Sequence, residues 1–332
     1  MALTIIKAGM LDSLQDGGRY GYASMGINPG GVMDSFAAAA ANYLAGNSAA
    51  EAVIELHFPA AQILFNDDAL VAVCGADFSP AIVEEPIPNW QPVMVKRNGL
   101  LHFQKWRWGS RAYLAVHGGF KLNQWLGSYS THIKAAAGGH NGRQLAKDDV
   151  LQVNSKRLAL CRLVPAKEYL HALPWGVHAE NIYAHAGEIF LLPGPEWDLL
   201  DAASKELLTT AAFTIAPKSD RMGYLLNGPA LQLQQPYELI SSGVDFGTVQ
   251  LLPGGQLMAL MADHQTTGGY PRIGNVIGAH LHKLAQLRPG DSFRFQITGM
   301  NTAEQLLLSQ LRDLRIMERS CHDHLNQLYA QH

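Results

Sequence analysis

The chain has 332 residues, of which 48% are hydrophobic and 16% charged, a balance that suits a sizeable buried core and excludes a disordered protein. Its formal net charge of -3 gives no electrostatic reason to expect nucleic acid or an anionic membrane as a partner. The three cysteines form no CxxC pair, and no apolar run is long enough for a signal peptide or a membrane span, so we expect a cytoplasmic protein.

The first half of the chain is predicted to be strand-rich with one helix. A first strand, LTIIKAG, precedes a long loop rich in Gly, Asp and Asn, and loops of this length in compact domains are often functional. Asp34 is placed to cap an alanine-rich helix, and Gly46 to end it in the left-handed conformation. From residue 52 to 153, short apolar segments alternate with turn residues, which indicates a barrel or sandwich.

The chain is irregular between residues 154 and 186, and we place the domain boundary there. The predicted domains are an N-terminal β-rich half, a C-terminal β-rich half and an amphipathic helix, over residues 1–160, 161–300 and 301–332. Weak similarities between the halves, such as RYGY and RMGY, suggest a duplicated barrel as a hypothesis.

The C-terminal helix is predicted from its capping and its apolar stripe. Thr302 and Gln305 have the spacing of a capping box. Apolar residues then recur at spacings of three, four and seven: Leu307, Leu311, Leu314, Cys321, Leu325 and Leu328. We expect this stripe to pack on the body of the protein or on another subunit. We do not expect a metal site at the sequence CHDH, because helix positions two apart face different directions.

Two clusters in the first half could bind a ligand. Asp16 and Arg19 flank two glycines, and an ion pair between them could leave backbone N–H groups free for an anion. Ser128 and Ser130 lie in the hydroxyl-rich segment GSYST, for which an exposed loop is an equal alternative.

The segment KSDRMG supplies a third cluster, made of Ser219, Asp220 and Arg221. An Arg guanidinium held by a neighbouring Asp presents a rigid fork that suits a carboxylate or a phosphate. We expect Asp220 to orient Arg221, and a surface ion pair is the alternative.

The fourth cluster is the segment DHQTTGGYP, which lies between two apolar segments. Its glycines allow a ligand to approach the backbone closely, and its other side chains are polar but largely uncharged. That composition suits a small amide-bearing or carboxylate-bearing substrate, although a hairpin whose threonines cap strand ends would explain it too. The predicted site residues here are Gln265, Thr266, Thr267, Gly268, Gly269 and Tyr270.

Taken together, these motifs resemble a family that includes the C subunit of bacterial ATP-dependent 5-oxoprolinase. The same family contains the antagonist of the Kip kinase inhibitor, allophanate hydrolase subunit 2 and part of the carboxyltransferase region of urea carboxylase. The matching motifs are QDGGRYGY, GGVMD, RAYLAVHGGF, LGSYST, SDRMGY, GTVQLLPGGQ, DHQTTGGYPRI and LAQLRPGD. The chain departs from the family pattern at Tyr129, where Arg is usual, and at Ser242 and Phe246, where Glu and Pro are usual.

The resemblance implies a mainly β fold with two cyclophilin-like β-barrel halves, a few short helices and a C-terminal helix. It implies a complex with a B subunit of the Kip-inhibitor type and an A subunit. The expected activity is opening of the pyroglutamate lactam to glutamate with ATP hydrolysis, and Mg²⁺ is expected to accompany the ATP. Since the sequence contains no GxxxxGK[ST] phosphate loop, the ATP site is expected in a partner or at a shared interface.

For this activity we expect four catalytic residues: Asp220, Arg221, Gln265 and Thr267. Arg221 would bind the substrate carboxylate or the transferred phosphoryl group, and the segment from Gln265 to Thr267 would hold the lactam. Asp16 and Arg19 would form a second wall, so that loops from both halves meet in one cleft. The alternatives are carboxyl transfer from biotin carried by a partner to urea or a related amide, and a regulatory protein that sequesters a Kip-type inhibitor.

Overall fold

The structure is a computed structural model that describes residues 1–154, 164, 168–179, 181–184 and 187–331. Residue 331 is described by its backbone alone. The chain divides into two compact units. The first unit contains Met1–Gly18, Asp34–Asn181 and Arg312–His332, and the second contains Arg19–Met33 and Ile182–Leu311. The predicted boundary between residues 160 and 161 lies outside the described residues.

The first unit is built on two six-stranded sheets. Its strands are β1 (Ala2–Lys7), β2 (Ser13–Gln15), β3 (Val53–Leu56), β4 (Gln62–Phe65), β5 (Ala69–Asp77), β6 (Pro80–Ile82), β7 (Glu85–Pro86), β8 (Pro92–Val95), β9 (Leu100–Phe103), β10 (Trp108–Val116), β11 (Val150–Gln152) and β12 (Leu170–Ala172). One sheet has the order β11-β1-β4-β9-β6-β7, and the other β12-β8-β5-β10-β3-β2. Both sheets contribute to one apolar cluster that includes Leu3, Ile63, Val71 and Leu114.

The helix of the first unit, α1 (Ser35–Leu44), begins and ends as the sequence predicts. The side chain of Asp34 accepts a hydrogen bond from the Ala37 amide at 2.9 Å, which satisfies a helix donor that lacks a backbone partner. Gly46 follows the last turn with a φ of 74°, the left-handed conformation that ends many helices. The alanine side chains are small enough for α1 to pack closely on β5 and β10.

The second unit contains a closed seven-stranded barrel. The strands are β13 (Glu188–Pro193), β14 (Phe213–Ile215), β15 (Gly223–Asn227), β17 (Thr248–Leu251), β18 (Leu257–Leu260), β20 (Arg272–Val276) and β21 (Ser292–Ile297). Their order in the barrel is β13-β20-β17-β18-β15-β14-β21. Strands β13 and β21 pair in parallel, whereas the other pairs are antiparallel. Two further strands, β16 (Ser242–Gly243) and β19 (Thr267–Gly268), form a separate ribbon. The mainly β class is confirmed, and barrel closure is seen in this unit.

Two short helices accompany the barrel, α2 (Ala202–Thr210) and α3 (Leu281–Gln286). Asp201 caps α2 by accepting from the Ser204 amide at 2.7 Å. The predicted turn before β21 is confirmed, with Gly290 at a φ of 93°.

The C-terminal helix, α4 (Met300–Gln331), is confirmed, but its predicted capping box is wrong. The Ala303 amide already donates to the Gly299 carbonyl at 3.1 Å, so helical hydrogen bonding begins before Thr302. Of the predicted stripe, Cys321 and Leu325 are buried, while Leu307 and Leu311 are about two-fifths exposed. His324 stacks on Trp175. Within the described residues, every helix is too short or too polar to span a lipid bilayer.

Candidate functional site

The segment between β18 and β20 contributes one strand of a two-stranded ribbon, and the other strand, β16, comes from a neighbouring loop. The sequence had left a hairpin as the alternative to a binding site here. Thr267 and Gly268 pair with Gly243 and Ser242 of a neighbouring loop in antiparallel register. Thr267 and Gly269 are exposed, and Tyr270 is 43% exposed. The ribbon therefore presents one hydroxyl, one glycine backbone and one phenol to solvent at this end of the second unit.

The residues that precede the ribbon face inward. Nε2 of Gln265 donates to the side-chain oxygen Oε1 of Gln250 at 3.4 Å. The backbone carbonyl of Thr266 accepts from the Val244 amide at 3.3 Å. His264 is buried, and its Nδ1 lies 2.6 Å from the Gln265 carbonyl. Of the predicted side chains, Thr267 and Tyr270 are thus accessible, whereas Gln265 is tied to the barrel.

The two glycines of the ribbon have different surroundings. A Cβ on Gly268 would lie 2.3 Å from Nε2 of Gln250, closer than a side chain can approach. A Cβ on Gly269 would meet nothing nearer than the Ser241 hydroxyl at 3.2 Å. Gly268 is therefore required because Gln250 occupies the space beneath it, whereas Gly269 leaves its backbone open to a ligand.

A groove of about 630 Å³ lies beside Tyr270. It is lined mainly by apolar side chains, among them Leu231, Leu251 and Tyr237, together with the backbone of Gly269. Concave apolar surfaces bordered by a few polar groups are the usual setting of small-molecule sites. The groove makes this part of the second unit the strongest candidate for a binding surface.

Arg221 forms a bidentate pair with Asp263, the first residue of the segment DHQTTGGYP. Its Nε and Nη2 donate to the two carboxylate oxygens of Asp263 at 2.8 and 3.0 Å, and Nη2 also donates to the Gly31 carbonyl at 2.6 Å. The prediction that Asp220 orients Arg221 is wrong. Asp220 is exposed and accepts from the amides of Met222 and Gly223, so it closes its own turn.

Asp263 is a candidate site residue that the sequence interpretation did not select. It is the first residue of the segment DHQTTGGYP, but it lies 42 positions from Arg221, whereas Asp220 is adjacent to Arg221. The backbone reinforces the pairing, because the Asp263 amide donates to the Arg221 carbonyl at 2.7 Å. An acidic residue at the start of a glycine-rich polar segment is the signal that could have identified it.

Arg19 belongs to the same part of the second unit as Arg221. Its side chain is 1% exposed, and its amide donates to the Pro29 carbonyl at 2.8 Å. A Cβ on Gly30 would lie 3.0 Å from Nη1 of Arg19 and 3.6 Å from Oδ1 of Asp263. The Gly30–Gly31 turn thus lies against two guanidinium groups and one carboxylate, and a side chain on Gly30 would crowd the guanidinium of Arg19.

Ser219 has a local role. Its hydroxyl accepts from the Leu225 amide at 3.1 Å and lies 3.4 Å from the Leu225 carbonyl. Because its hydroxyl is used within the turn from β14 to β15, we assign Ser219 to the turn and not to a ligand.

In the first unit, Asp16 organises the GSYST loop. Its Oδ1 accepts from the hydroxyls of Ser128 and Ser130, both at 2.6 Å, and from the Gly18 amide at 2.8 Å. Its Oδ2 accepts from the Tyr129 amide at 2.6 Å. The carboxylate thus has hydroxyl and amide partners within the first unit, and the ion pair with Arg19 stays a prediction. Ser128 and Ser130 are fully buried, so the exposed-loop alternative is wrong for these side chains.

A second carboxylate–guanidinium pair supports the ribbon. Glu196 accepts from Nε and Nη2 of Arg272 at 3.0 and 2.8 Å, and these hydrogen bonds lower the pKa of the Glu196 carboxyl. The Arg272 Nη1 also donates to the Gly243 carbonyl at 3.4 Å. Arg272 thereby links β20 to the ribbon strand β16.

Comparison with known proteins identifies the family. Residues 25–297 match the family described as carboxyltransferase domain, subdomain A and B. The chain belongs to this family. It is 34% identical over 298 residues to the 5-oxoprolinase C subunit of Haemophilus influenzae, a match that covers 89% of this chain and 90% of that protein. The corresponding protein of Escherichia coli is also 34% identical, with 93% of this chain and 96% of that protein covered.

A solved structure of the carboxyltransferase family supports the fold. The urea amidolyase of K. lactis superposes with a TM-score of 0.84 at 27% identity over 95% of this chain. The chain corresponds to 20% of that protein's length. The family resemblance predicted from the motifs is confirmed.

Proposed function

We propose that this carboxyltransferase-family chain is the C subunit of a 5-oxoprolinase, which opens the lactam of 5-oxoproline to glutamate together with A and B subunits. The observation that carries the proposal is the similarity to two proteins named as the C subunit of 5-oxoprolinase, because it extends over nearly the full length of both partners. The uncharged, accessible groups of the ribbon suit a small planar amide better than a highly charged ligand.

The chemistry explains why preorganised polar groups are needed. A lactam carbonyl is a poor electrophile, and transfer of the γ-phosphoryl group of ATP to its oxygen would activate it. Water would then add to the carbonyl carbon, breakage of the ring C–N bond would give an acyl phosphate with a free amine, and a second water would hydrolyse the acyl phosphate to the carboxylate and phosphate. Since negative charge develops on oxygen, fixed donors aimed at that oxygen are the main contribution a protein can make.

The residues of the second unit take different parts in this proposal. Thr267 and the Gly269 backbone contact the substrate, and Tyr270 covers it from the side of the groove. Arg221 acts as a positioning residue, because its bidentate pairing with Asp263 and its 4% exposure fix the start of the ribbon segment. Asp16, Ser128 and Ser130 position their own loop in the first unit.

ATP, with Mg²⁺, belongs to this proposal as a co-substrate. The chain contains no phosphate-loop motif, so we assign its binding to a partner or a shared interface. The partners we propose are the A subunit and a B subunit of the Kip-inhibitor type.

The test is reconstitution of the complex from its purified components. We expect release of glutamate and ADP from 5-oxoproline and ATP only when this chain is mixed with the A and B subunits. Thr267→Val should raise the KM for 5-oxoproline about tenfold, because it removes an exposed hydroxyl and preserves shape. Thr266→Val is the matched control, since Thr266 uses its carbonyl. Turnover by this chain alone would overturn the shared-site assignment.

The second candidate function is carboxyl transfer to urea or a related amide. It is favoured by the match to a carboxyltransferase family and by the structural likeness to urea amidolyase. Biotin on a separate carrier would supply the carboxyl group. Complexes that leave 5-oxoproline intact but carboxylate urea with a biotinylated carrier would decide for this alternative.

A further inference from the structure

A buried side-chain amide beneath the ribbon is the starting point. Gln250 lies on β17 and is 0% exposed. Its carbonyl oxygen accepts from Gln265 at 3.4 Å, which leaves Nε2 directed at Gly268. Within the described part of the chain, Nε2 has no hydrogen-bond partner. A buried donor without an acceptor is unfavourable, and such groups are rare in native proteins.

Ser242 supplies a second buried polar atom of the same kind. Its hydroxyl is buried and, within the described residues, lacks a partner. Ser242 is directly opposite Gly268 in the ribbon, and opposed residues of an antiparallel pair point to the same face. Because the missing Cβ of Gly268 points at Gln250, the Ser242 side chain lies on the face of the ribbon that Gln250 approaches.

We propose that Gln250 Nε2 and the Ser242 hydroxyl form a binding site for the uncharged carbonyl oxygen of a small acyl compound, such as a lactam, an amide or urea. Both groups can donate a hydrogen bond, so the pair suits an acceptor oxygen. Gly268 lets the Gln250 amide lie directly beneath the ribbon, since a Cβ there would be 2.3 Å from Nε2. The assignment of 5-oxoproline as the natural ligand rests on the proposed function.

A ligand reaches these buried donors only if the ribbon moves. Each of its strands has two residues, and Thr267 and Gly269 on its outer side are exposed. It is held by long hydrogen bonds, from Val244 to Thr266 at 3.3 Å and from Arg272 to Gly243 at 3.4 Å. Bonds of this length are weak, so the ribbon can shift at small energetic expense.

Gln250→Met is the main test, with ligand binding and stability measured on the full chain. Methionine preserves the volume and removes the unpartnered donor. We expect affinity for the best binder among 5-oxoproline, 2-pyrrolidinone and urea to fall about ten- to a hundredfold. The melting temperature without ligand should stay level or rise by about 2–4 °C, because an unsatisfied polar group is removed. A purely structural role for Gln250, or a bound water alone, predicts unchanged affinity, and that result would overturn the proposal.

Two glycines of the ribbon provide a matched pair of variants. Gly268→Ala places a methyl group against Nε2 and should abolish binding of these compounds, whereas Gly243→Ala, whose methyl group would meet nothing within 4 Å, should bind like the parent chain. Circular dichroism of both variants checks that they fold. Equal affinities for Gly268→Ala and Gly243→Ala would contradict the site.

Turnover by the reconstituted complex separates this inference from the proposed function. If 5-oxoproline is turned over with an unchanged KM in Gln250→Met, the function stands and the site is wrong. If the complex ignores 5-oxoproline but the chain binds urea in a Gln250-dependent manner, the site stands and the proposed function fails. If none of the three compounds binds the parent chain at millimolar concentration, the site is wrong.

Discussion

Two buried polar side chains, one in each unit, differ in how far their hydrogen-bonding capacity is used. In the first unit, the carboxylate of Asp16 accepts from two hydroxyls and two amides, all within 2.8 Å. In the second unit, the Gln250 amide is at least as deeply buried, but its Nε2 has no acceptor in the described part of the chain. The first arrangement is what a structural clamp requires, and the second suits the binding site that we propose for an oxygen atom. Burial and polarity are alike for these two residues, and hydrogen-bond saturation is what separates them.

The largest expected effect is on stability, at the Asp16 carboxylate, whose hydrogen-bonding capacity is fully used. Asp16→Ala should lower the free energy of unfolding by about 3–5 kcal/mol, because it leaves two buried hydroxyls and two amides without their acceptor. Urea denaturation followed by circular dichroism measures the change. Asp313→Ala, an exposed position on α4, is the control and should change stability by less than about 0.5 kcal/mol. A small effect of Asp16→Ala would mean that the loop keeps its structure without the clamp.

Asp12, also in the first unit, shows that hydrogen bonds do not fully offset burial. Its carboxylate has two hydrogen-bond donors, but burial still disfavours the charged form. It accepts from the amides of His57 and Ala61 at 2.8 and 2.7 Å, yet burial, with a smaller contribution from the charge of Glu55, raises its pKa from 3.8 to about 7. The folded chain therefore holds this proton more tightly than the unfolded chain. Stability from this group is fully present below pH 4 and is lost as the pH rises to about 7, a change on the order of 4 kcal/mol.

Denaturation of the parent chain and Asp12→Asn across pH 4–7 checks this prediction. The variant should be less stable at low pH, since an amide nitrogen would face a backbone donor, but it should lack the titration. The pH slope attributed to Asp12 should therefore disappear. If Asp12→Asn keeps the slope of the parent chain, another group causes it.

Arg221→Lys tests whether the paired groups of the second unit position the ribbon. Lysine keeps the charge but cannot make the bidentate contact with Asp263 or reach Gly31 with the same geometry. We expect a loss of about 2 kcal/mol in unfolding free energy, and a larger proportional rise in KM than fall in kcat for the reconstituted complex. Lys218→Arg, at an exposed neighbouring position, is the control. A fall in kcat at constant KM would instead indicate that Arg221 contacts the reacting atoms.

Sequence patterns predicted those parts of the molecule that depend on near neighbours. Asp34, Gly46 and the turn at Gly290 were assigned correctly, because caps and tight turns are determined within a few residues. The motif-based resemblance supplied the β-rich family fold. The capping box at Thr302 was wrong for a local reason, since the helix could begin one turn earlier.

The site was predicted less completely, because its contacts join distant parts of the chain. Asp16 and Ser128 are 112 positions apart, and Arg221 and Asp263 are 42 apart. The adjacent charges of Asp220 and Arg221 were therefore paired incorrectly. Gln250 was missed because the residues around it in an apolar strand do not indicate which distant part of the chain its side chain will face. The meeting of loops from the two halves in one cleft stays a prediction.

The smallest expected effect comes from His280, whose titration should oppose that of Asp12. Its Nδ1 accepts from the Phe190 amide at 3.0 Å, and burial, followed by the charges of Lys283 and His282, lowers its pKa from 6.5 to about 4. The unfolded chain then binds this proton more tightly, so stability present above pH 6.5 is lost as the pH falls towards 4. With allowance for partial solvent screening, we expect about 1–2 kcal/mol. His280→Asn retains an acceptor for Phe190 without the titration, and exposed His322→Asn is the control. Hydrogen exchange of the Phe190 amide at pH 4.5 and 6.5 locates the effect, and equal pH dependence in the parent chain and His280→Asn would refute it.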